Sequence, residues 1–255
     1  MDFNLNTLRK AAVEIAGIGG DSTLNFFKQS FDLEFKKDDS PVTNADRNAE
    51  MLMREAIKNR FPDHGIIGEE FGRERDDASV VWVLDPIDGT QSFIHGVPFY
   101  TTLIGILIGG KPEVGVIYAP ALNEMVSAAT GTGCYLNREK ATIRPCEKLS
   151  EATFLTTDME HVYKHGYIKQ FEKLLSETRI HRTWGDAYGH MMVATGRADI
   201  MFDPILNLWD AAALLPVVKE AGGSYFDVEG NESVTSGSAI STNPALKSSI
   251  LSFFE

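Results

Sequence analysis

Six carboxylates in this chain follow apolar strands or open helices: Asp46, Glu69, Glu70, Asp85, Asp88 and Asp210. The densest group lies in Val80-Val81-Trp82-Val83-Leu84-Asp85-Pro86-Ile87-Asp88-Gly89-Thr90. An unbroken Val-rich run bounded by turn signals reads as a buried strand. Pro86 lacks a donor, so the strand is expected to stop there and leave Asp85 and Asp88 in a tight turn at its carboxyl end. Open α/β sheets bind ligands at such ends. Two close carboxylates repel unless a cation lies between them. Taken alone, however, Asp-Pro and Asp-Gly are ordinary turn dipeptides, and the two acids read first as solvated turn residues.

The rest of the set changes that balance. Oxygen ligands without histidine or thiolate select hard cations: magnesium, manganese or calcium. Asp85 is placed to bridge two ions, with Glu69 on one, Asp88 on the other and the Ile87 carbonyl as a neutral ligand. Paired metals about 4 Å apart suit in-line displacement at phosphorus. Gly89-Thr90 opens what reads as a short helix, whose free amides would take a phosphate. Thr90 could orient a water as nucleophile, Asp46 could hold Thr90, and Glu70 could take the proton. Two alternatives stay open. Thr43 with Asp46 resembles a capping box, so Asp46 also reads as a helix cap. Asp210 reads equally as the N-cap of a helix from Ala211.

These residues need elements to hold them. Residues 5–30 read as one long helix, weakened by Gly17, Gly19 and Gly20, and 36–41 as a polar turn. A second, amphipathic helix opens at 43–46. Ile66-Ile67-Gly68 is a short strand delivering Glu69-Glu70, and 72–79 a charged, mobile loop. Residues 99–110, 113–119, 123–129 and 133–136 form a meander apolar on both faces, so helices are expected on both sides. The remainder alternates: strands at 153–157, 178–183, 200–202 and 238–241, and helices at 164–176, 187–195, 211–221 and 245–254. No linker, low-complexity stretch or repeat divides the chain. Two closely packed α/β lobes are expected, 1–150 with most of the acids and 151–255 with Asp210.

The chain has 255 residues, 43% hydrophobic and 24% charged, with net charge −12. That is ordinary for a globular protein, and the acidic balance argues against nucleic acid as ligand. Cys134 and Cys146 show no zinc spacing and fit a reducing cytoplasm. The start Met1-Asp2-Phe3-Asn4 lacks signal-peptide features, and no apolar run reaches the length of a membrane span. His161 and His165 alone have ligand spacing, in a polar stretch without partners. No nucleophile elbow or Walker-type loop is present.

Asp85-Pro-Ile-Asp-Gly-Thr90, Gly68-Glu-Glu70, Val42-Thr-x-x-Asp46, Trp209-Asp210-x-x-Ala213 and Glu220-Ala-Gly-Gly223 together resemble the inositol monophosphatase family, over nearly the whole chain. The resemblance implies an αβαβα sandwich, a homodimer, and a magnesium-dependent, lithium-sensitive phosphomonoesterase using two or three ions, with manganese possible. It assigns Glu69, Asp85 and the Ile87 carbonyl to one ion and Asp85, Asp88 and Asp210 to another. It gives phosphate to Gly89 and Thr90, with Asp46 paired to Thr90, and attack by a metal-activated water.

It also bears on the substrate, a small phosphorylated metabolite. Gly185, Asp186, Ala187 and Asp203 are expected near the leaving alcohol. Asp203 stands where inositol phosphatases usually carry Glu, and Asp186 where they carry Thr or Ser. Two short acids suit a cationic leaving group. Trp184-Gly-Asp-Ala-Tyr-Gly-His190 and Gly89-Thr-Gln-Ser-Phe-Ile-His-Gly-Val-Pro98 are similar to the histidinol-phosphatase branch. Histidinol phosphate is therefore the expected substrate and inositol 1-phosphate the alternative. Asp186 has a simpler reading as a cap of the helix from Ala187. A non-enzymatic role, as a partner in a larger assembly such as the transcription machinery, is not supported by any basic tail or exposed apolar helix.

Overall fold

The computed structural model describes residues 4–36 and 41–255. The turn expected over 36–41 lies mostly outside them. The first half runs α1 (Leu5–Thr23), β1 (Leu33–Phe35), β2 (Pro41–Thr43), α2 (Asn44–Arg60), β3 (Gly65–Gly68), β4 (Gly72–Glu74), β5 (Val80–Asp88), α3 (Thr90–Ile94), β6 (Thr101–Ile108), β7 (Lys111–Ala119), β8 (Glu124–Ala129), β9 (Gly133–Leu136) and β10 (Glu139–Ala141). The second runs β11 (Thr153–Thr156), α4 (Met159–Lys164), α5 (Ile168–Glu177), β12 (Ile180–Arg182), α6 (Asp186–Ala194), β13 (Ile200–Asp203), α7 (Leu208–Ala211), α8 (Leu214–Glu220), β14 (Ser224–Phe226), β15 (Ala239–Thr242) and α9 (Lys247–Leu251).

Two sheets carry the molecule. Strands β10-β9-β8-β7-β6-β5-β3-β4 form the larger one, and β12-β11-β13-β15-β14 the smaller. Leu8, Ala12 and Ile15 of α1 and Met53 and Ile57 of α2 pack on one face of the larger sheet, against Trp82, Leu84 and Ile104. Met191 of α6 and Leu214 and Val217 of α8 fill the space between the sheets, against Leu103, Ile117, Leu155 and Met201. Phe171 of α5 and Ile250 of α9 cover the outer face of the smaller sheet. The layering is αβαβα, and both faces of the meander are covered, as its two apolar faces require.

Several boundaries differ from the sequence reading. Helix α1 runs unbroken through its glycines, and Gly19 and Gly20 are buried against Met53 and Tyr118. It stops at Thr23, whose hydroxyl donates back to the Gly20 carbonyl at 2.6 Å. Phe27 then folds onto Phe93 and Tyr100. Residues 72–79 are not simply a loop, since β4 pairs with β3. The helix expected over 164–176 begins later, as α5 at Ile168, and a separate helix, α4, is split from it at Gly166 with φ +80°. Strand β5 does not stop at Pro86. A register shift between Asp85 and Asp88 takes Pro86 out of the ladder, and pairing resumes at Asp88 with Thr101. The Pro86 carbonyl, freed from the ladder, accepts from the Thr102 hydroxyl at 2.8 Å. Such a bulge re-aims side chains without ending the strand.

The helix expected over 211–221 is also split, into α7 and α8, and the break has a cause. Gly105 and Gly115 face each other across β6 and β7. A Cβ on Gly105 would lie 2.5 Å from the Ala212 Cβ, and one on Gly115 2.1 Å from the Ala213 carbonyl oxygen. The α7–α8 break therefore sits directly on the sheet backbone, with Ala212 among Ile67, Val81, Val83 and Leu107. This seats α7, and Asp210 on it, beside β5. Replacing Gly115 by Ala has no side-chain space to use. It should lower stability by about 1–3 kcal/mol, read as a lower urea midpoint with unchanged slope. An unchanged midpoint would mean that the break lifts freely from the sheet.

Candidate active site

The bulge in β5 turns Asp85 and Asp88 into the interior, 2% and 9% exposed. Asp85 Oδ1 accepts the Ile87 N–H at 3.0 Å. Asp88 Oδ2 accepts the Thr101 hydroxyl at 3.1 Å and the Ala187 N–H at 2.7 Å. Asp210 arrives from the other half of the chain. It is not the N-cap of its helix: Asn207 is, and Asp210 at the third position reaches back to the Asn207 N–H at 2.6 Å. Asp85, Asp88 and Asp210 each offer a carboxylate oxygen within 4.8 Å of the others.

Asp46 is built in the same way as Asp210. It occupies the third position of α2, and its Oδ2 accepts the N–H of Thr43 at 2.8 Å and the Thr43 hydroxyl at 2.6 Å. Its Oδ1 lies 3.5 Å from the Thr90 hydroxyl. The capping box expected at 43–46 and the approach to Thr90 therefore coexist. The Thr90 bond to Asp46 is the weaker one, however, because that hydroxyl also donates to the Ile87 carbonyl at 3.0 Å. Gly89 caps α3 with φ +79°.

Glu69 and Glu70 lie at the end of β3, and both receive Lys36 Nζ at 2.7 Å. The sequence reading passed over Lys36 as part of a polar turn. Burial alone would lower its ammonium, but the two carboxylates outweigh that and hold it charged. Burial raises both glutamates, and Lys36 opposes the rise. The Glu69 carboxyl also lies against that of Asp85.

The remaining acids have no such partner. Burial, followed by repulsion from Glu69, Asp88 and Asp210, pushes Asp85 far above the carboxylate range. Burial and repulsion from Asp186 and Asp210 do the same to Asp88. Burial takes Asp210 up to about 7 and Asp46 up to about 6. Among the described residues, no basic side chain pairs with Asp85, Asp88 or Asp210. Converging carboxylates, two buried and one half-buried, anchored by amides and paired with no basic side chain, fit a hard divalent cation. Glu69 stands against Asp85 as a further oxygen ligand, while the Ile87 carbonyl accepts from Thr90.

The residues expected around the leaving group are divided. Gly185 is buried, and a Cβ there would stand 2.1 Å from Thr157 Cα. The Ala187 N–H is committed to Asp88 rather than open to a substrate. Asp186 does not cap α6, which has no side-chain cap. Instead its carboxylate lies against the turn before α3, with Oδ2 2.8 Å from where a Gly89 Cβ would stand. Its backbone is left-handed, φ +52°, and its N–H donates to the Thr157 hydroxyl at 2.8 Å. Thr157 in turn donates to Asp203 Oδ1 at 2.5 Å. His190 Nε2 stands 3.1 Å from Asp203 Oδ2, and its Nδ1 2.6 Å from the Ser241 hydroxyl. Thr157, His190 and Ser241 thus fix the acids from behind. His190 lies in a quoted motif, but spacing alone gave it no partner.

An αβαβα sandwich with a cluster of acids able to hold a cation fits a class of metal-dependent phosphatases, and comparison with known proteins agrees. The model of the inositol monophosphatase family matches residues 4–254. A histidinol-phosphatase from Chlorobaculum parvum is 41% identical over 237 residues, with 92% of each chain covered. The structure of extragenic suppressor protein suhB from Bartonella henselae has TM-score 0.91 at 25% identity, over 98% of both chains. An inositol monophosphatase from Zymomonas mobilis has TM-score 0.88 at 32% identity, over 99% of both. The chain belongs to the inositol monophosphatase family and is a phosphatase of phosphate monoesters. Among the described residues no helix is long and apolar enough to cross a membrane.

The raised acids make stability depend on pH and on cation. Asp186 and Asp210, at about 7, keep protons in the folded chain that the unfolded chain has lost above about 4. Metal-free protein should therefore lose stability as pH rises from about 4 to about 7. A divalent cation favours the ionised form and should flatten that fall. Melting temperatures across this range, with chelator and with magnesium, should diverge as pH rises. Parallel curves would mean that the acids do not share a cation.

Proposed function

We propose that the chain is a magnesium-dependent histidinol-phosphatase. The observation that carries the substrate is Asp186. Its carboxylate lies beside Gly89, and no cationic side chain faces it among the described residues. Burial, then repulsion from Asp203, Asp158 and Asp210, raises it to about 7. Its left-handed backbone is a strained arrangement of the kind found at functional sites. A substrate ammonium relieves that repulsion, and an uncharged polyol does not. The likeness to the histidinol-phosphatase of Chlorobaculum parvum supports the same substrate.

In this reading Glu69, Asp85 and the Ile87 carbonyl would hold one magnesium, and Asp85, Asp88 and Asp210 would hold another. When bound, the ions supply the positive charge that acidifies water and offsets charge on the phosphoryl oxygens. Gly89 and Thr90 hold the phosphate where α3 begins. The Thr90 hydroxyl, between Asp46 and the Ile87 carbonyl, orients the attacking water. Glu70, ion-paired with Lys36, is placed to take the proton of that water. Asp186 and Asp203 bind the leaving alcohol through its ammonium.

Purified protein should release phosphate from histidinol phosphate much faster than from inositol 1-phosphate. The reverse ranking would establish the inositol phosphatase reading instead, which the likeness to the Zymomonas mobilis enzyme favours. Replacing Asp186 by Thr removes a charge-assisted bond. It should cut kcat/KM for histidinol phosphate about tenfold or more while sparing an uncharged monoester. Equal losses on both substrates would mean that Asp186 only supports the fold.

A further inference from the structure

Behind Glu69 and Glu70 lies an ion pair to which the proposed chemistry gives no task. Glu50 on α2 is 0% exposed. Its Oε2 accepts the Glu70 N–H at 2.7 Å, and its Oε1 accepts the Phe71 N–H at 3.2 Å. Arg54, one turn further along α2, donates Nε to Glu50 Oε1 at 2.7 Å and a second nitrogen to the Gly72 carbonyl. The pair therefore grips residues 70–72 through main-chain groups alone. Gly68 makes room for it, since a Cβ there would stand 2.0 Å from Glu50 Oε1.

A buried ion pair is a poor source of stability, because well-packed apolar residues do as well in its place. Its distinctive effect is direction. Glu50 uses both oxygens on the turn, and Arg54 offsets part of its charge, so the repulsion it adds to Glu70 is the smallest of the influences on that acid. We infer that Glu50, backed by Arg54, is a positioning residue that holds the turn after β3 so that Glu69 meets Asp85 and the cation between them. This rests on the reading of Glu69 as a metal ligand.

Glu50→Gln tests it, with Glu69→Gln as reference. Glutamine leaves one acceptor oxygen where two were used, and takes from Arg54 its nearer carboxylate, leaving Glu74 at 3.8 Å. Magnesium binding to the full chain is read by titration calorimetry without substrate, and KM is read at saturating magnesium. E50Q should weaken magnesium binding about tenfold or more, as losses of groups that orient metal ligands do, and leave KM unchanged. Wild-type magnesium affinity in E50Q, beside a weakened E69Q, overturns the inference and leaves the Glu69 reading intact. Wild-type affinity in E69Q overturns both. If E50Q does not fold, the double variant E50Q/R54M leaves no unpaired buried charge, and the same results decide.

Discussion

Negative charges brought together away from water repel one another and lose their hydration. This constraint shapes the site, where Asp85, Asp88 and Asp210 converge within 4.8 Å. The chain meets it in one repeated way. Asp46, Asp85, Asp88 and Asp210 each accept a main-chain N–H, from Thr43, Ile87, Ala187 and Asn207. An amide bond offsets part of the lost hydration without cancelling the charge. Each acid is fixed in place but costly to ionise, and a divalent cation would favour the ionised form.

The layers serve the same end. Asp85 and Asp88 need a strand that continues through Pro86, and the bulge provides one. Asp210 needs a helix pressed against that strand, and the Gly105–Gly115 pair allows the approach. Asp46 and Asp210 reach the site from helix starts, where the third residue turns its side chain back. One oxygen of each closes the helix end. That is why capping and site chemistry are not rival explanations at these positions.

Much of this was legible in the sequence, for identifiable reasons. The strands of the meander, β3, β5 and α2 were readable because their apolar periodicity is strong. Asp85 and Asp88 were legible from the strand that ends in them, whereas Asp210 joined them only through the family resemblance, because by itself it reads as a helix cap. What sequence did not disclose depends on partners far along the chain. Pro86 ends a strand in isolation, but here the Thr102 hydroxyl takes its carbonyl and β6 pairs again at Asp88. Lys36 meets Glu69 across 33 positions, and Thr157 meets Asp186 across 29. Glu50 and His190 look like ordinary helix residues until the turn after β3 and Asp203 are placed beside them. The end of α1 at Thr23 is equally non-local, since it depends on the aromatic cluster around Phe93.

The bond from the Ala187 N–H to Asp88 spans 99 positions and ties β5 of the larger sheet to α6 of the middle layer. Neither half of the chain contains the acid cluster by itself. During folding the cluster forms only when the middle helical layer has closed over both sheets, a closure of high contact order. A cation that binds there binds the docked state alone, so its binding free energy adds wholly to the cohesion of the two halves. An ion held there would be a mechanical joint as well as a reagent, and its concentration would set how often the middle layer lifts from β5 and the interior meets proteases.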